Sequence, residues 1–159
     1  MAKAYLSLGS NQDAENHLAR ALDELRARFG PIVASRLYRT PAVGFDGPDF
    51  LNGAAIVDTD LAPEALDTWL HALEDAHGRR RDVPRFSSRP LDIDIVFYDN
   101  LVLRGPGHLE LPRPDLRHAF VLKPLVEIAP TYRHPVSGQT LAALWAKHPE
   151  HGSFGAMQG

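Results

Sequence analysis

The sequence predicts an α+β fold: one mainly antiparallel β-sheet with two long helices packed on one of its faces. Four segments are predicted as strands, and the first and last of them alternate side chains between two faces, as strands do when they bury one face. Two further segments repeat apolar residues at intervals of three and four, which is the spacing of an amphipathic helix. These segments follow the order β-α-β-β-α-β, and this order favours an antiparallel sheet with both helices on the same side.

The first strand and the first helix are predicted over residues 4–8 and 13–29. Gly9-Ser10-Asn11 predicts a turn between them, because these residue types favour turns. Gly30-Pro31 predicts the end of the helix. The helical spacing rests on the apolar residues Leu18, Ala21, Leu22, Leu25 and Phe29.

The second and third strands are predicted over residues 32–38 and 50–57. The intervening residues 39–48 are rich in Gly and Pro and too many for a tight hairpin, so they form a candidate binding loop. A second amphipathic helix is predicted over residues 63–77, since its Pro and Glu are typical of a first helical turn. An arginine-rich segment, residues 78–89, follows this helix.

A fourth strand over residues 89–97 completes the βαββαβ order of a ferredoxin-like fold. Beyond it we expect a C-terminal hairpin and a helical extension. The hairpin would pair residues 101–103 with residues 108–111, and the extension would contain helices over residues 115–128 and 140–147.

The composition predicts one domain over residues 1–159, with a loosely ordered tail after about residue 149. Apolar residues make up 44% and charged residues 23% of the chain, as in ordinary soluble proteins. The net charge of −3 gives no general attraction to nucleic acid or to an anionic membrane. The chain has no cysteine, no apolar run of roughly 18–20 residues and no signal-peptide pattern. We therefore expect a cytoplasmic protein that binds neither nucleic acid nor a membrane, and we also expect it to be a monomer.

The fourth predicted strand carries two acidic residues on one face. Asp92 and Asp94 point to the same side of a strand, while Leu91, Ile93 and Ile95 point to the other side and into a core. Two residues of strand rise separate the aspartate Cα atoms by roughly 6.6 Å. Carboxylates at this spacing can converge on two divalent cations about 3.5–4 Å apart, which clamp a reacting phosphate. Bound cations would also neutralise charges that are costly to bury.

A second pair of acids with the same spacing, Asp58 and Asp60, provides a comparison within the chain. It ends an apolar run before the second helix, so we interpret it as a strand end and a turn. Asp92 and Asp94 differ because residues 78–89, which precede them, contain five arginines and one acid. Guanidinium groups bind phosphate oxygens in pairs, so this segment favours a polyphosphate ligand. A solvated basic loop beside an incidental pair of acids stays open as the alternative.

Several short motifs then resemble the 6-hydroxymethyl-7,8-dihydropterin pyrophosphokinase family, from residue 5 to about residue 130. They are Leu8-Gly9-Ser10-Asn11, Tyr38-Arg39-Thr40-Pro41, Pro48-Asp49-Phe50-Leu51-Asn52, Glu74 with Gly78-Arg79, Arg89 with Asp92-Ile93-Asp94-Ile95, and Ala119-Phe120-Val121-Leu122. Their common order and spacing make the resemblance specific. It implies an enzyme of folate biosynthesis that transfers pyrophosphate from ATP to the hydroxymethyl group of the pterin, giving the pterin diphosphate and AMP.

The resemblance also implies roles for individual residues. Arg79, Arg89, Asp92 and Asp94 match the catalytic residues, and the two aspartates match the ligands of two Mg²⁺ ions. The residues that match the ATP site are His71, Glu74, Arg81, Arg85, Ile95, Arg113, Arg117 and His118. The residues that match the pterin site are Thr40, Pro41, Val43, Phe50, Asn52, Asp92 and Phe120.

The chain departs from the family pattern at several positions, including His71, where Gln is more usual. Pro90 stands where Thr is common, and Ser87 stands where Gly or Ala is usual, so this segment is expected to swing less freely. Arg113 replaces a His, and His118 takes the place of a phosphate-binding Arg. Arg113 and Arg117 could restore the missing charge from neighbouring positions, because a guanidinium reaches far on its side chain.

Two other functions stay open at this point. A paralogue that binds pterin or nucleotide without catalysis is one, because the departures at residues 113 and 118 affect the expected ATP site. Another two-metal nucleotidyl-transfer enzyme or nuclease is the second, although such a site usually needs a third acid, and no third acid stands out. The chain has neither the Gly-x-x-x-x-Gly-Lys of a P-loop nor a zinc-binding spacing among its eight histidines.

Overall fold

The computed structural model describes residues 1–41, 48–78, 90–104 and 109–152. At its centre lies a five-stranded antiparallel sheet with the order β2-β4-β1-β5, in which β3 also pairs with β4. Its strands are β1 (Ala2–Ser10), β2 (Val33–Ala34), β3 (Tyr38–Thr40), β4 (Phe50–Thr59) and β5 (Asp92–Tyr98). The long central strand β1 is antiparallel to both β4 and β5. This topology confirms the predicted ferredoxin-like sheet.

The two long helices pack on one face of the sheet, as predicted. They are α1 (Ala14–Phe29) and α2 (Pro63–Ala76), and each lies within a residue of its predicted bounds. Their apolar residues form one core with the inward side chains of the strands. Fully buried members of this core include Leu6, Leu18, Leu25, Leu66, Leu70, Leu91, Ile93 and Ile95.

The C-terminal extension covers the opposite face of the sheet. It consists of a 3₁₀ helix (Pro114–Arg117), α3 (Ala119–Ile128) and α4 (Leu141–Ala146). The single helical segment predicted over residues 115–128 is therefore divided, because His118 is extended with φ −82° and ψ 136°. A second core lies beneath this extension, formed by Tyr5, Tyr38, Val96, Phe97, Leu122, Leu125, Leu141 and Trp145 among others.

The predicted hairpin is present but short. Its strands are β6 (Leu103–Arg104) and β7 (Glu110–Leu111), and residues 105–108 lie outside the described part of the chain. Of the predicted loose tail, residues 153–159 also lie outside the described residues. That the whole chain forms one domain stays a prediction. Within the described ranges, every helix is too short or too polar to cross a membrane.

The second predicted strand, residues 32–38, is interrupted in the structure. Ala34 pairs with Ala55 and Tyr38 pairs with Asn52, so three residues on one side face two on β4. This extra residue is a β-bulge. The bulge brings a side chain of this segment close to β4, since a Cβ at Gly53 would lie 2.9 Å from Leu37. The prediction of one continuous strand was wrong because bulges depend on the partner strand.

The predicted turn at Gly9-Ser10-Asn11 was also wrong for its first two residues. Gly9 and Ser10 belong to β1, where Gly9 pairs with Asn52 on one side and Asp92 on the other. The glycine permits a close approach here, because a Cβ at this position would lie 3.0 Å from the Asn52 Oδ1 atom. Pairing on both sides extends the central strand through residues that favour turns elsewhere.

Candidate active site

The two aspartates of β5 face away from the core beneath α1 and α2. The intervening Ile93 is buried in that core, while Asp92 and Asp94 are only partly buried. This confirms the alternation predicted from the sequence. In contrast, Asp58 and Asp60 lie at the end of β4 and form surface ion pairs with Lys3 and Arg28 at 3.0 and 3.6 Å. The interpretation of that second pair as a strand end and a turn is therefore confirmed.

The carboxylate pair is electrostatically unfavourable when no cation is bound. Burial, and then the negative charge of Asp92, raise the pKa of Asp94 to about 8, although Arg113 acts in the opposite direction. At neutral pH a carboxyl group with this pKa is protonated in most of the protein molecules. A divalent cation would favour the charged form, so the donor set fits one. Within the described residues, no cluster of three His, Cys, Asp or Glu side chains could hold a metal ion.

This donor set suits Mg²⁺ better than a metal that needs a complete protein cage. Mg²⁺ is commonly held by one or two carboxylates, with water and substrate phosphates as its other ligands. Asp92 and Asp94 supply such a pair of oxygen ligands on one strand.

A guanidinium group lies beside the aspartates. The Arg113 Nη2 atom is 3.4 Å from the Asp94 Oδ1 atom, and the Arg113 Nε atom is 3.3 Å from the Asp115 Oδ2 atom. The backbone N–H of Arg113 donates to the Val96 carbonyl oxygen at 3.0 Å, so this segment is attached to β5. Arg113 therefore partly neutralises the aspartates, and its predicted contact with ATP stays a prediction.

Glu74 is a third carboxylate close to this strand, which sequence reasoning did not identify as such. Its side chain on α2 is buried, and its Oε2 atom accepts a hydrogen bond from the Ile93 N–H at 2.8 Å. Its charge also contributes to the raised pKa of Asp94. A signal was available, because Glu74 follows Leu70 by four residues and so falls on the apolar stripe of its helix.

Two other residues predicted for the ATP site occupy different surroundings. His71 is partly exposed on α2, with its Nε2 atom 3.7 Å from the Asp67 Oδ1 atom. Ile95 has its side chain in the core, 1% exposed, so only its backbone could contact ATP. Neither placement tests the predicted role.

The residues predicted for the pterin site meet beside β1. Asn52 and Thr40 are both buried, and the Asn52 Nδ2 atom donates to the Thr40 Oγ1 atom at 2.6 Å. Gly9 pairs with both Asn52 and Asp92, so these three residues share one face of the sheet at the same level. The predicted pterin amide and the predicted metal ligand therefore flank a residue without a side chain. Sequence reasoning named Gly9 only as part of a turn and of a family motif.

Other residues near the predicted pterin site lie at the ends of loops and on α3. The Asn11 Nδ2 atom donates to the Pro48 carbonyl oxygen at 3.2 Å and so holds the end of the loop after β3. Phe50 is partly buried, and Pro41 is exposed. Phe120 lies in the first turn of α3. The predictions for Val43, Arg79, Arg81, Arg85 and Arg89 fall outside the described residues.

The fold and this site together define a class of protein. A ferredoxin-like sheet carries a pair of partly buried carboxylates, a guanidinium lies 3.4 Å from one of them, and an amide and aromatic rings lie on the adjoining strands and helix. This arrangement is the kind used by metal-dependent enzymes that transfer phosphate groups.

Comparison with known proteins identifies the family within that class. The chain matches the 7,8-dihydro-6-hydroxymethylpterin-pyrophosphokinase (HPPK) family over residues 5–130. The 2-amino-4-hydroxy-6-hydroxymethyldihydropteridine pyrophosphokinase of Methylorubrum extorquens is 40% identical over 152 residues, which cover 92% of this chain and 94% of that protein. The enzyme of the same name from Pseudomonas aeruginosa is 38% identical over 160 residues, covering 94% of each chain. This chain belongs to the HPPK family.

Solved structures of larger proteins share its fold. The crystal structure of wild-type Plasmodium falciparum HPPK-DHPS has a TM-score of 0.73 at 16% identity, covering 92% of this chain and 41% of that one. A crystal structure of HPPK-DHPS in complex with substrates has a TM-score of 0.73 at 16% identity, covering 94% of this chain and 44% of that one. The chain thus spans less than half of these proteins, and the likeness confirms the ferredoxin-like fold.

Proposed function

We propose that this protein transfers pyrophosphate from ATP to the hydroxymethyl group of 6-hydroxymethyl-7,8-dihydropterin. The products would be the pterin diphosphate and AMP, in folate biosynthesis. The observation that carries the proposal is the placement of Asp92 and Asp94, on the face away from the α1 and α2 core, in a chain of the HPPK family. The pyrophosphokinases named above supply the substrate class.

In the proposed reaction the pterin hydroxyl oxygen attacks the β-phosphorus of ATP in line with the leaving group. A new phosphorus–oxygen bond forms, the bond from the β-phosphorus to the oxygen bridging to the α-phosphate breaks, and AMP leaves. The hydroxyl proton passes to solvent. Both reactants are competent by themselves, so the protein chiefly positions them and stabilises charge. We assign no general base.

Asp92 and Asp94 would hold two Mg²⁺ ions. When bound, Mg²⁺ would neutralise phosphate charge and lower the proton affinity of the attacking hydroxyl. The raised pKa of Asp94 supports a cation here, because burial and the charge of Asp92 both disfavour the ionised carboxylate when no cation is bound. The hydrogen bond from the Ile93 N–H to Glu74 helps to hold β5 against α2.

The proposed pterin site adjoins this pair. A pterin is flat, with hydrogen-bonding groups on its edge, so its recognition needs rings and a few placed polar groups. Asn52, buried and bonded to Thr40, offers a fixed amide in close contact with Gly9. Phe50 and Phe120 are available as the rings. We propose that Arg113 and Arg117 supply positive charge near the phosphates, together with the arginines predicted at residues 79, 81, 85 and 89.

The reaction can be tested directly. Purified protein is incubated with ATP, Mg²⁺ and 6-hydroxymethyl-7,8-dihydropterin, and AMP and pterin diphosphate are measured. We expect both products from the wild type and neither from Asp92→Ala. Asp58→Ala, which changes an acid of the second pair, is the matched control and should retain normal transfer.

Three results would overturn the proposal. Near-normal transfer by Asp92→Ala would remove the role of the carboxylate pair. Binding of pterin and a non-hydrolysable ATP analogue without release of AMP from ATP would indicate a binding protein. Pterin-independent nuclease activity would indicate the other two-metal class. The monomeric state and the cytoplasmic location stay predictions, and analytical ultracentrifugation tests the first of them.

A further inference from the structure

His118 occupies the junction between the 3₁₀ helix and α3, and its backbone is held on both sides. Its N–H donates to the Asp115 carbonyl oxygen at 3.0 Å. Its own carbonyl oxygen accepts from the N–H groups of Val121 and Leu122 at 3.1 and 3.0 Å. These contacts place it as the N-cap of α3, and they limit where its ring can lie.

The His118 ring stacks on the ring of Phe120. The two ring centroids are 5.0 Å apart and the ring planes differ by only 11°. Nearly parallel rings at this separation stabilise each other by more than the burial of their surface area alone would give. His118 thus covers one face of the Phe120 ring and limits its rotation.

The charge of His118 does not suit a phosphate ligand. Burial, and then the positive charge of Arg117, lower the pKa of His118 below its usual value of 6.5. Its ring is therefore largely neutral at pH 7, unlike the arginine that the family pattern has at this position. The backbone next to it is also fixed, because the Arg117 carbonyl oxygen lies 2.7 Å from the His148 Nε2 atom.

We propose that His118 is a positioning residue for the pterin, whose ring holds the Phe120 ring in the orientation that stacks on the substrate. The inference rests on the proposed function, since it takes Phe120 as a pterin contact. According to this inference, the histidine that replaces the family's arginine acts in pterin binding. The neighbouring arginines then supply the positive charge near the phosphates. If His118 had kept the phosphate-binding role of the arginine, it would instead contact ATP.

Three substitutions at this position separate the two roles. His118→Phe keeps a flat ring and removes both ring nitrogens, so pterin affinity and the KM for ATP should stay within about twofold of wild type. His118→Ala removes the stacking and should weaken pterin binding by about 3- to 10-fold, with the KM for ATP unchanged. His118→Lys adds a charge without a ring, and it should weaken pterin binding as the alanine variant does.

Pterin affinity is measured by calorimetry with a non-hydrolysable ATP analogue and Mg²⁺ present, and the KM for ATP is measured from AMP release. His151→Phe is the matched control, since His151 also contacts an aromatic ring, that of Trp145 at 5.6 Å, away from Phe120. It should change neither quantity. Thermal unfolding of each variant shows whether it is folded, and recovery of pterin affinity in His118→Phe relative to His118→Ala distinguishes ring support from general destabilisation.

Each contrary outcome has one meaning. If His118→Ala binds pterin as tightly as wild type, the inference is overturned while the proposed function stands. If His118→Phe or His118→Ala raises the KM for ATP tenfold, His118 acts on phosphate and the inference is wrong. If the wild type binds no pterin at all, the proposed function fails first, and the inference fails with it.

Discussion

Replacing Asp94 by asparagine should stabilise the protein in the absence of metal while abolishing its activity. In the folded chain the pKa of Asp94 is raised from its usual 3.8 to about 8, mainly by burial and by the charge of Asp92. Between these two values the folded state binds more protons than the unfolded state. Stability conferred by this site therefore falls as the pH rises from about 4 to about 8. An asparagine side chain cannot ionise in either state, so Asp94→Asn removes this dependence.

The size of the effect follows from the two pKa values. A pH of 7 is about 3 units above the pKa of Asp94 in the unfolded chain. This difference corresponds to a destabilisation of the folded state by Asp94 of at most about 4 kcal/mol. The side chain keeps 26% of its exposure, so solvent screens part of this, and Asp94→Asn also loses the contact with Arg113. We therefore expect a gain of about 2 kcal/mol, or about 4–8 °C in Tm for a chain of this length.

Thermal unfolding of wild type and Asp94→Asn in a metal chelator, at several values between pH 5 and pH 8, measures this. The variant should unfold at a higher temperature at pH 7, and the difference should shrink towards pH 5. Added Mg²⁺ and ATP should raise the Tm of the wild type alone. Asp58→Asn should show no such pattern, since Asp58 is a surface residue. A variant less stable than wild type at pH 7 without metal, or a difference that does not change with pH, would refute the reasoning.

Three other perturbations test the site and the contact between α1 and the end of α2. Gly9→Ala places a methyl group 3.0 Å from the Asn52 Oδ1 atom, so it should cost about 1–3 kcal/mol in denaturant unfolding and weaken pterin binding by calorimetry. Glu74→Leu leaves a buried N–H of β5 without its acceptor and should cost about 1–3 kcal/mol, whereas Glu74→Gln keeps an acceptor and should lose less. His17 and His77 lie with their Nδ1 atoms 2.8 Å apart, and burial and His77 lower the pKa of His17. The unfolded chain then takes up the proton first, so the free energy of unfolding in urea should fall as the pH drops below 6.5, and His17→Asn should make that fall smaller. Equal pH profiles for His17→Asn and wild type would contradict this last expectation.

The helices and the orientation of the aspartates could be predicted because their signals are local. Apolar residues recur at helical spacing between Leu18 and Phe29. The predicted end of the helix at Gly30 agrees with the structure, in which Gly30 is the C-cap of α1. Alternation alone placed Asp92 and Asp94 opposite Ile93, since neighbouring side chains of any strand point to opposite faces. The motifs around these residues were enough to indicate the family, which the comparisons confirm.

Contacts between distant segments could not be predicted in the same way. Glu74 lies 19 residues before Ile93, and nothing in either segment states that its carboxylate meets that N–H. Gly9 favours a turn by residue type, yet pairing with both neighbours draws it into the central strand. His118 takes the place of a charged residue in the sequence, and only the packing of α3 shows that its ring stacks on Phe120.

By itself the sequence determined the order of strands and helices, the shared face of Asp92 and Asp94, and membership of the HPPK family. The tertiary structure alone decided which groups surround those aspartates and how strongly they disfavour charge. The reason is physical. Periodicity describes one segment and its buried face, whereas a pKa or a ring contact depends on groups that approach from several segments at once.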